Sequence, residues 1–215
     1  MIHSIKKLMS ILILNSFFNN LKNKSKVKLE MPSIEINKKD IIFDPQVQTY
    51  CNNPKFVCPN YAHSWACPPI APYLEKKVNQ FNKFYLIYYK YDLSKHVNDI
   101  KGRNPDLSEE KIRNDFYRKE FMRDYVDDEI QDFINNYTEP YKEIFILWDG
   151  YCRICSKLGK SCTYDSETPC RYPEQIRYSM EAVGIDVTKT VSQLKLDIEW
   201  PPINHAYRFG LICFL

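Results

Sequence analysis

Seven of the eight cysteines in this 215-residue sequence fall into two tight groups. The downstream group has the spacing C-x2-C-x6-C-x7-C and consists of Cys152, Cys155, Cys162 and Cys170. Cysteine thiolates are soft, charged ligands that select zinc, copper(I) or iron–sulfur clusters. Four thiols so close in sequence therefore indicate one tetrahedral metal ion or one iron–sulfur cluster.

The spacing of the downstream group favours an iron–sulfur cluster over zinc. Zinc ribbons usually contain two close C-x2-C pairs, whereas only Cys152 and Cys155 form such a pair here. Proline directly follows Cys58 and Cys67, and a Cys-Pro step also ends the bacterial ferredoxin motif. We expect a [4Fe–4S] cluster at residues 152–170, acting in electron transfer or as an accessory to a redox enzyme. A zinc-stabilised binding module without redox function is the alternative.

The upstream group offers only three thiols, and three interpretations are open for it. It consists of Cys51, Cys58 and Cys67. It could hold a second [4Fe–4S] cluster with one open iron, hold zinc with His63 as an additional ligand, or contribute to one composite site. His63 lies between Cys58 and Cys67, although a lone loop histidine more often serves as a hydrogen-bonding residue. An enzyme that uses an open metal position here as a Lewis acid is a further hypothesis. It needs a pocket that joins the three thiols to polar groups such as His63, Arg177 or Glu181.

Polar and charged side chains flank the downstream cysteines and are candidates to surround the bound metal. They are Arg171, Arg177, Ser179 and Glu181. Arginines near a thiolate cluster would offset its negative charge and donate hydrogen bonds to its sulfurs. The alternative is that they are surface charges or form ion pairs with an acidic helix upstream. Because no nucleophile set of the Ser/His/Asp or Cys/His kind stands out, enzymatic activity is left open.

Composition excludes several other function classes. The net charge of +3, from 30 basic and 27 acidic residues, does not suggest a nucleic-acid-binding protein. With only 5 glycines and no glycine-rich phosphate-binding motif, a nucleotide-binding loop is not expected. Clustered cysteines fit thiolates held by metal in a reducing cytoplasm better than disulfides in a secreted protein. A redox partner protein is the partner we expect.

The first 40 residues differ in character from the rest of the chain. An apolar run from Leu8 to Phe18 follows two lysines, but it is shorter than the roughly 20 residues that a membrane-spanning helix needs. No small-x-small cleavage site follows it, so we expect an amphipathic helix and a basic linker rather than a signal peptide, which is the alternative. We therefore predict an N-terminal extension over residues 1–40 and a single metal-binding cysteine-rich domain over residues 41–215.

Hydrophobic patterning predicts a small sheet and one long helix. Predicted strands cover Phe84–Tyr91, Glu143–Trp148 and Tyr207–Leu215, with a further strand or lead-in within Ile34–Phe43. A long helix is predicted from Asp106 or Ser108 to about Pro140, and short helices within Tyr73–Asn82, Glu174–Val183 and Asp186–Gln193. This is an α/β pattern of the α+β sandwich type with three to five strands and cysteine-rich loops. Cys213 lies in the last strand, where we expect it to act as a small hydrophobic residue.

Three segments resemble the prokaryotic "predicted metal-binding protein" family, domain of unknown function 2284. They are Cys-Pro-Asn-Tyr-x-x-Ser-Trp-x-Cys-Pro-Pro at 58–69, the cysteine run to Pro173, and Arg-x-Ser-Met-Glu-Ala-x-Gly-Ile-Asp-Val at 177–187. The resemblance covers roughly residues 45–215. It implies metal binding through the seven clustered cysteines. Family members often have glycine where this chain has Ala62.

Overall fold

A computed structural model describes residues 32–54, 56–116 and 121–215. The apolar run Leu8–Phe18 and most of the predicted basic linker lie outside these residues. Within the described ranges, no helix is long and apolar enough to cross a membrane.

Among the described residues, six strands form two antiparallel sheets. They are β1 (Ser33–Ile36), β2 (Asn52–Asn53), β3 (Phe56–Val57), β4 (Lys83–Asp92), β5 (Ile144–Leu147) and β6 (His205–Phe214). The main sheet has the order β1-β4-β6-β5 and every pairing in it is antiparallel, while β2 and β3 form a separate hairpin. The α+β class and the three predicted strands are thereby confirmed. Strand β1 pairs with β4, so the sheet includes a segment that precedes the predicted domain boundary at residue 41.

Alternation along β6 gives the sheet two apolar faces. Leu211 and Cys213 pack with the cluster on one face, and Ile212 and Phe214 pack on the other. Side chains in a strand point alternately to opposite faces, so a strand that is apolar throughout must be covered on both sides. The side chain of Cys213 is fully buried, as expected for a small hydrophobic residue.

Six α-helices accompany the sheet in the described ranges. They are α1 (Glu75–Val78), α2 (Leu93–Arg103), α3 (Glu109–Phe116), α4 (Phe121–Asn136), α5 (Ile154–Lys157) and α6 (Val187–Ser192). The predicted long helix corresponds to α3 and α4, and the residues 117–120 between them are outside the description. Ser108 begins it, because its Oγ accepts a hydrogen bond of 3.2 Å from the backbone N–H of Lys111.

Helix α2 was not predicted from the sequence, although its signals are present. The Asp92 carboxylate accepts a hydrogen bond of 2.8 Å from the backbone N–H of Lys95, which caps the helix. Leu93 and Val97 are buried at i and i+4 on one helical face. These signals were overlooked because they directly follow the strong strand pattern that ends at Asp92, where the apolar residues change from strand spacing to helical spacing.

The helix predicted within Glu174–Val183 is wrong. Two short 3-10 turns, Pro173–Gln175 and Glu181–Val183, replace it. The segment between them runs beside the end of β5, where the backbone N–H of Trp148 donates to the Tyr178 carbonyl at 2.7 Å. Pairing with the sheet edge therefore overrides local helix formation. Gly184 directly follows the second turn and has a φ of 96°, in the left-handed region that favours glycine.

Gly210 lets α4 approach the sheet closely. A Cβ at this position would lie 2.6 Å from Ile130 Cδ1 and 3.0 Å from the Leu147 carbonyl oxygen.

We expect Gly210→Ala to lower the free energy of unfolding by about 1–3 kcal/mol, because a close-packed interior cannot accept the extra methyl group. Gly102→Ala is the control. A Cβ there meets nothing within 4 Å in α2, so this change should raise the free energy of unfolding, by up to about 1 kcal/mol. Urea denaturation followed by circular dichroism measures both, and equal stability losses would contradict this packing argument.

Candidate metal centre

The upstream cysteines lie on a loop that is held together by backbone hydrogen bonds. The backbone N–H of Cys58 donates to the Cys51 carbonyl at 2.8 Å, across the β2–β3 hairpin. The N–H of Ala62 donates to the Pro68 carbonyl at 2.9 Å and closes the second half of the loop around Cys67. All three cysteines line one cavity of about 420 Å³, which we call the three-thiol cavity.

Burial and the charges of neighbouring thiols raise the pKa values of two upstream cysteines. Burial is the main cause that raises the pKa of Cys51 to about 11 and that of Cys67 to about 12. The charge of Cys58 raises both pKa values further, and Cys152 adds to the effect at Cys67, while a hydrogen bond from Ser64 opposes it. Cys51 and Cys67 therefore carry their protons at neutral pH unless a cation stabilises the thiolate.

The downstream cysteines begin five residues after the end of edge strand β5. Strand β5 ends at Leu147, and Gly150 turns the chain with a φ of 68° before Cys152. All four thiols of this group line a second cavity of about 530 Å³, the four-thiol cavity. The buried Thr163 holds the loop closed, because its hydroxyl donates to the Pro169 carbonyl at 3.1 Å.

The two cysteine loops contact each other directly. His63 Nδ1 lies 2.8 Å from Asp165 Oδ1, which joins the upstream loop to the downstream loop. The indole N–H of Trp65 lies 3.2 Å from Thr163 Oγ1 and 3.2 Å from the Thr168 carbonyl oxygen. The two cavities adjoin, since Asn60 and Tyr151 line both of them.

His63 is placed at the four-thiol cavity and not among the residues that line the three-thiol cavity. The imidazole is exposed and paired with Asp165. Trp65 is half-buried over the same cavity and packs edge-to-face on Tyr164, with ring centroids 5.1 Å apart. Both side chains therefore connect the upstream loop to the downstream thiols.

The four residues predicted to surround the metal lie in different parts of the site. Arg171 Nη1 lies 3.9 Å from Cys155 Sγ and donates to the Ser161 carbonyl at 2.6 Å. Ser179 and Glu181 line the three-thiol cavity. Arg177 lines neither cysteine cavity.

Arg177 instead forms an ion pair with the helix upstream. Its Nη1 lies 2.9 Å from Asp127 Oδ2, and its guanidinium stacks 3.7 Å from the Trp148 ring centroid. This contact corresponds to the alternative that an arginine pairs with the acidic helix.

A buried ion pair that the sequence analysis missed anchors the downstream loop. Arg153 Nη2 lies 2.8 Å from Asp127 Oδ2 on α4, and only 7% and 9% of the two side chains are exposed. Asp124 and Lys157 extend this network at the surface. Two sequence features could have indicated this ion pair. One is an aspartate next to apolar Val126 on the predicted helix, and the other is an arginine directly after Cys152.

Asp149 and two arginines complete the three-thiol cavity and were also missed. Arg123 Nε and Arg208 Nη1 lie 3.7 Å from the two oxygens of the Asp149 carboxylate. Burial raises the pKa of Asp149, and the two arginines oppose that shift. Glu181, which is exposed, borders the same cavity.

All eight cysteines are free thiols, and none of them belongs to a converged ligand set. In the described ranges, no three or more His, Cys, Asp or Glu side chains are arranged to hold a metal ion. The thiols border cavities rather than meet at one point. As a donor set, four thiols around one space and three around the next fit a soft metal or a cluster.

Comparison with known proteins gives one family match. A family model described as "Predicted metal-binding protein (DUF2284)" matches residues 34–214. The match includes all seven clustered cysteines and begins at residue 34, earlier than the roughly 45 inferred from the motifs. No significant match was found among curated proteins or among solved structures.

We expect Asp127→Ala to loosen the downstream loop, because it removes the buried carboxylate that pairs with the Arg153 guanidinium, while the more exposed Asp124 pair remains. Breaking a buried ion pair costs about 3–5 kcal/mol of unfolding free energy. Because the Arg153–Asp124 pair remains, we expect the lower end of this range, about 3 kcal/mol. Faster alkylation of Cys152 and Cys155, measured by mass spectrometry, should accompany the loss of stability. Asp128→Ala removes an exposed neighbouring carboxylate and is the control. Unchanged alkylation in Asp127→Ala would contradict the anchoring role.

Ala62 lies at a position that suits glycine. Its φ is 58°, in the left-handed region that costs an L-residue roughly 1–2 kcal/mol. We therefore expect Ala62→Gly to raise the free energy of unfolding, by up to about 1 kcal/mol after the larger chain entropy of glycine is counted. Ala66→Gly, at a buried position without positive φ, should lower it. Urea unfolding compares the two variants, and destabilisation by Ala62→Gly would refute the backbone interpretation.

Proposed function

The chain belongs to the DUF2284 family of predicted metal-binding proteins, and from this premise we propose that it is an iron–sulfur protein that transfers electrons. One observation carries the proposal. The four downstream thiols border one cavity, and the three upstream thiols border a cavity that shares two wall residues with it. Two adjoining thiol-lined spaces suit two centres that exchange electrons over a short distance.

Four thiols would hold one [4Fe–4S] cluster: Cys152, Cys155, Cys162 and Cys170. Such a cluster supplies one-electron transfer at a potential set by its charge, its hydrogen bonds and its exposure to solvent. A single zinc ion would draw its thiolates to about 2.3 Å from one point. Thiols spread around a cavity of about 530 Å³ are better matched to a cluster of several atoms.

The three upstream thiols would hold the second centre, and the protein environment makes their deprotonation dependent on it. Cys51 and Cys67 have pKa values raised to about 11 and about 12. Binding of a metal or cluster to them must therefore release protons, and it should strengthen as pH rises toward those values. Arg171, close to Cys155, is placed to donate toward a sulfur of the downstream cluster and to raise its potential.

The surroundings of the cavities support a role in protein-mediated redox transfer. Trp65 lines the four-thiol cavity and packs edge-to-face on Tyr164 of the downstream loop, and Tyr151 lines both cavities. A redox partner protein in the cytoplasm would deliver or accept the electron. The chain would then act as a carrier or as an accessory subunit of a redox enzyme.

The enzyme hypothesis receives partial support from the three-thiol cavity. This cavity reaches Glu181, as that hypothesis required, whereas His63 and Arg177 do not line it. Instead Asp149, Arg123 and Arg208 provide the polar wall. An open position at the second centre would therefore face carboxylates and arginines rather than an imidazole.

Anaerobic purification followed by iron, zinc and acid-labile sulfide analysis tests the proposal. We expect brown protein with charge-transfer absorbance and with iron and sulfide in equal amounts. Cys155→Ser should lose the downstream cluster and Cys58→Ser the upstream one. Cys213→Ser is the matched control, because this thiol is buried in β6 outside both cavities. Colourless protein with stoichiometric zinc would replace the redox proposal by the zinc-stabilised module.

A further inference from the structure

The three-thiol cavity has a charged wall that metal binding does not use. Besides the three cysteines, the charged residues Arg123, Arg208, Asp149 and Glu181 line this cavity. The cavity volume of about 420 Å³ falls within the roughly 300–1,000 Å³ of small-molecule sites. Two cations and two carboxylates in one partly enclosed space can orient a ligand that carries both kinds of polar group.

Asp149 provides the most specific sign of a ligand. Its side chain is 10% exposed, and among the described residues its buried Oδ2 has no hydrogen-bond partner. The ion-paired nitrogen Arg123 Nε is 3.7 Å from that oxygen, beyond the roughly 2.7–3.2 Å of N–H···O hydrogen bonds. A buried acceptor without a donor is costly and is rarely retained without a function. A ligand that brings a donor would satisfy it.

The two arginines suit a carboxylate. Arg123 is positioned by its stacking on Tyr151, with 4.7 Å between the guanidinium carbon and the ring centroid. Its guanidinium also fills the space where a Cβ of Gly150 would lie, at 2.8 Å. A planar guanidinium recognises a carboxylate through two parallel hydrogen bonds. Arg208 approaches from β6 on the other side of Asp149.

The carboxylates in the same wall select against a bare anion. Asp149 and Glu181 would repel an anion that offers no hydrogen-bond donor of its own. A ligand with a carboxylate and an adjacent hydroxyl or ammonium group can face the arginines and the carboxylates at once.

We propose that the three-thiol cavity binds a small carboxylic acid with a hydroxyl or amino group next to the carboxylate. Arg123 and Arg208 hold the carboxylate, and Asp149 Oδ2 accepts a hydrogen bond from the hydroxyl or ammonium group. Only side chains of this protein carry the binding, so the proposal stands apart from the metal content of the thiols.

Isothermal titration calorimetry of the full chain under anaerobic conditions tests this assignment with four probes. L-Malate, L-aspartate and succinate share one carbon skeleton and differ only in a hydroxyl, an ammonium or no donor, and sulfate is a bare anion. We expect malate or aspartate to bind at least about tenfold more tightly than succinate, because a hydrogen bond to a charged acceptor has that strength. Whichever of the two binds more tightly identifies the donor. Sulfate should bind more weakly than all three.

Two variants separate the roles of the wall residues. Asp149→Ala should abolish the preference for malate or aspartate over succinate. Arg208→Lys should weaken all three dicarboxylates by roughly tenfold, because lysine cannot form the paired hydrogen bonds. Arg113→Lys, whose partner is Glu109 on α3, is the control and should leave binding unchanged. If Asp149→Ala does not fold, the probe series on the wild type and Arg208→Lys decide the question.

Three outcomes would overturn the ligand assignment: no binding of any dicarboxylate, equal affinity for succinate and malate, or full affinity in Arg208→Lys. Iron and sulfide analysis of the same samples keeps the two proposals distinguishable. Iron-loaded protein without malate or aspartate binding overturns only the ligand site. Protein without iron that shows the expected selectivity overturns only the redox function.

Discussion

The ion pair between Arg153 and Asp127 is the interaction on which the candidate site depends. The downstream loop has only one turn of α-helix, so regular hydrogen bonding cannot hold its four thiols in place. Arg153 directly follows Cys152, and its guanidinium is buried against α4. Because α4 packs on the main sheet through Val126 and Ile130, the ion pair ties the loop to the hydrophobic core of the domain. Separating a buried ion pair is strongly destabilising, so the loop has few alternative positions.

A second set of contacts joins the two cysteine loops. Trp65 and His63 reach from the upstream loop to the downstream one, and the charge of Cys152 is felt at Cys67. Thiols so close to each other resist ionisation because their charges repel and burial removes water. Soft cations offset both effects. The same packing that brings the thiols together therefore raises the pKa values of Cys51 and Cys67.

The strands and their burial were readable from the chain because they depend on local patterning. Phe84–Tyr91 and Glu143–Trp148 are nearly continuous apolar runs, which fits a sheet covered on both faces. Local patterning failed within Glu174–Val183, where pairing of Tyr178 with Trp148 decided the backbone conformation. Local patterning also failed to predict α2, because the helical spacing of its apolar residues begins immediately after a strong strand.

The cysteine groups and the family could be established from sequence, since thiol identity and spacing are covalent properties of the chain. Which residues surround each group depended on the tertiary structure. His63 lies beside the downstream thiols, and Arg177 turns away to Asp127. The polar wall of Asp149, Arg123 and Arg208 combines residues far apart in sequence. Burial and charge act through space, so only the folded chain decides which side chains share a cavity.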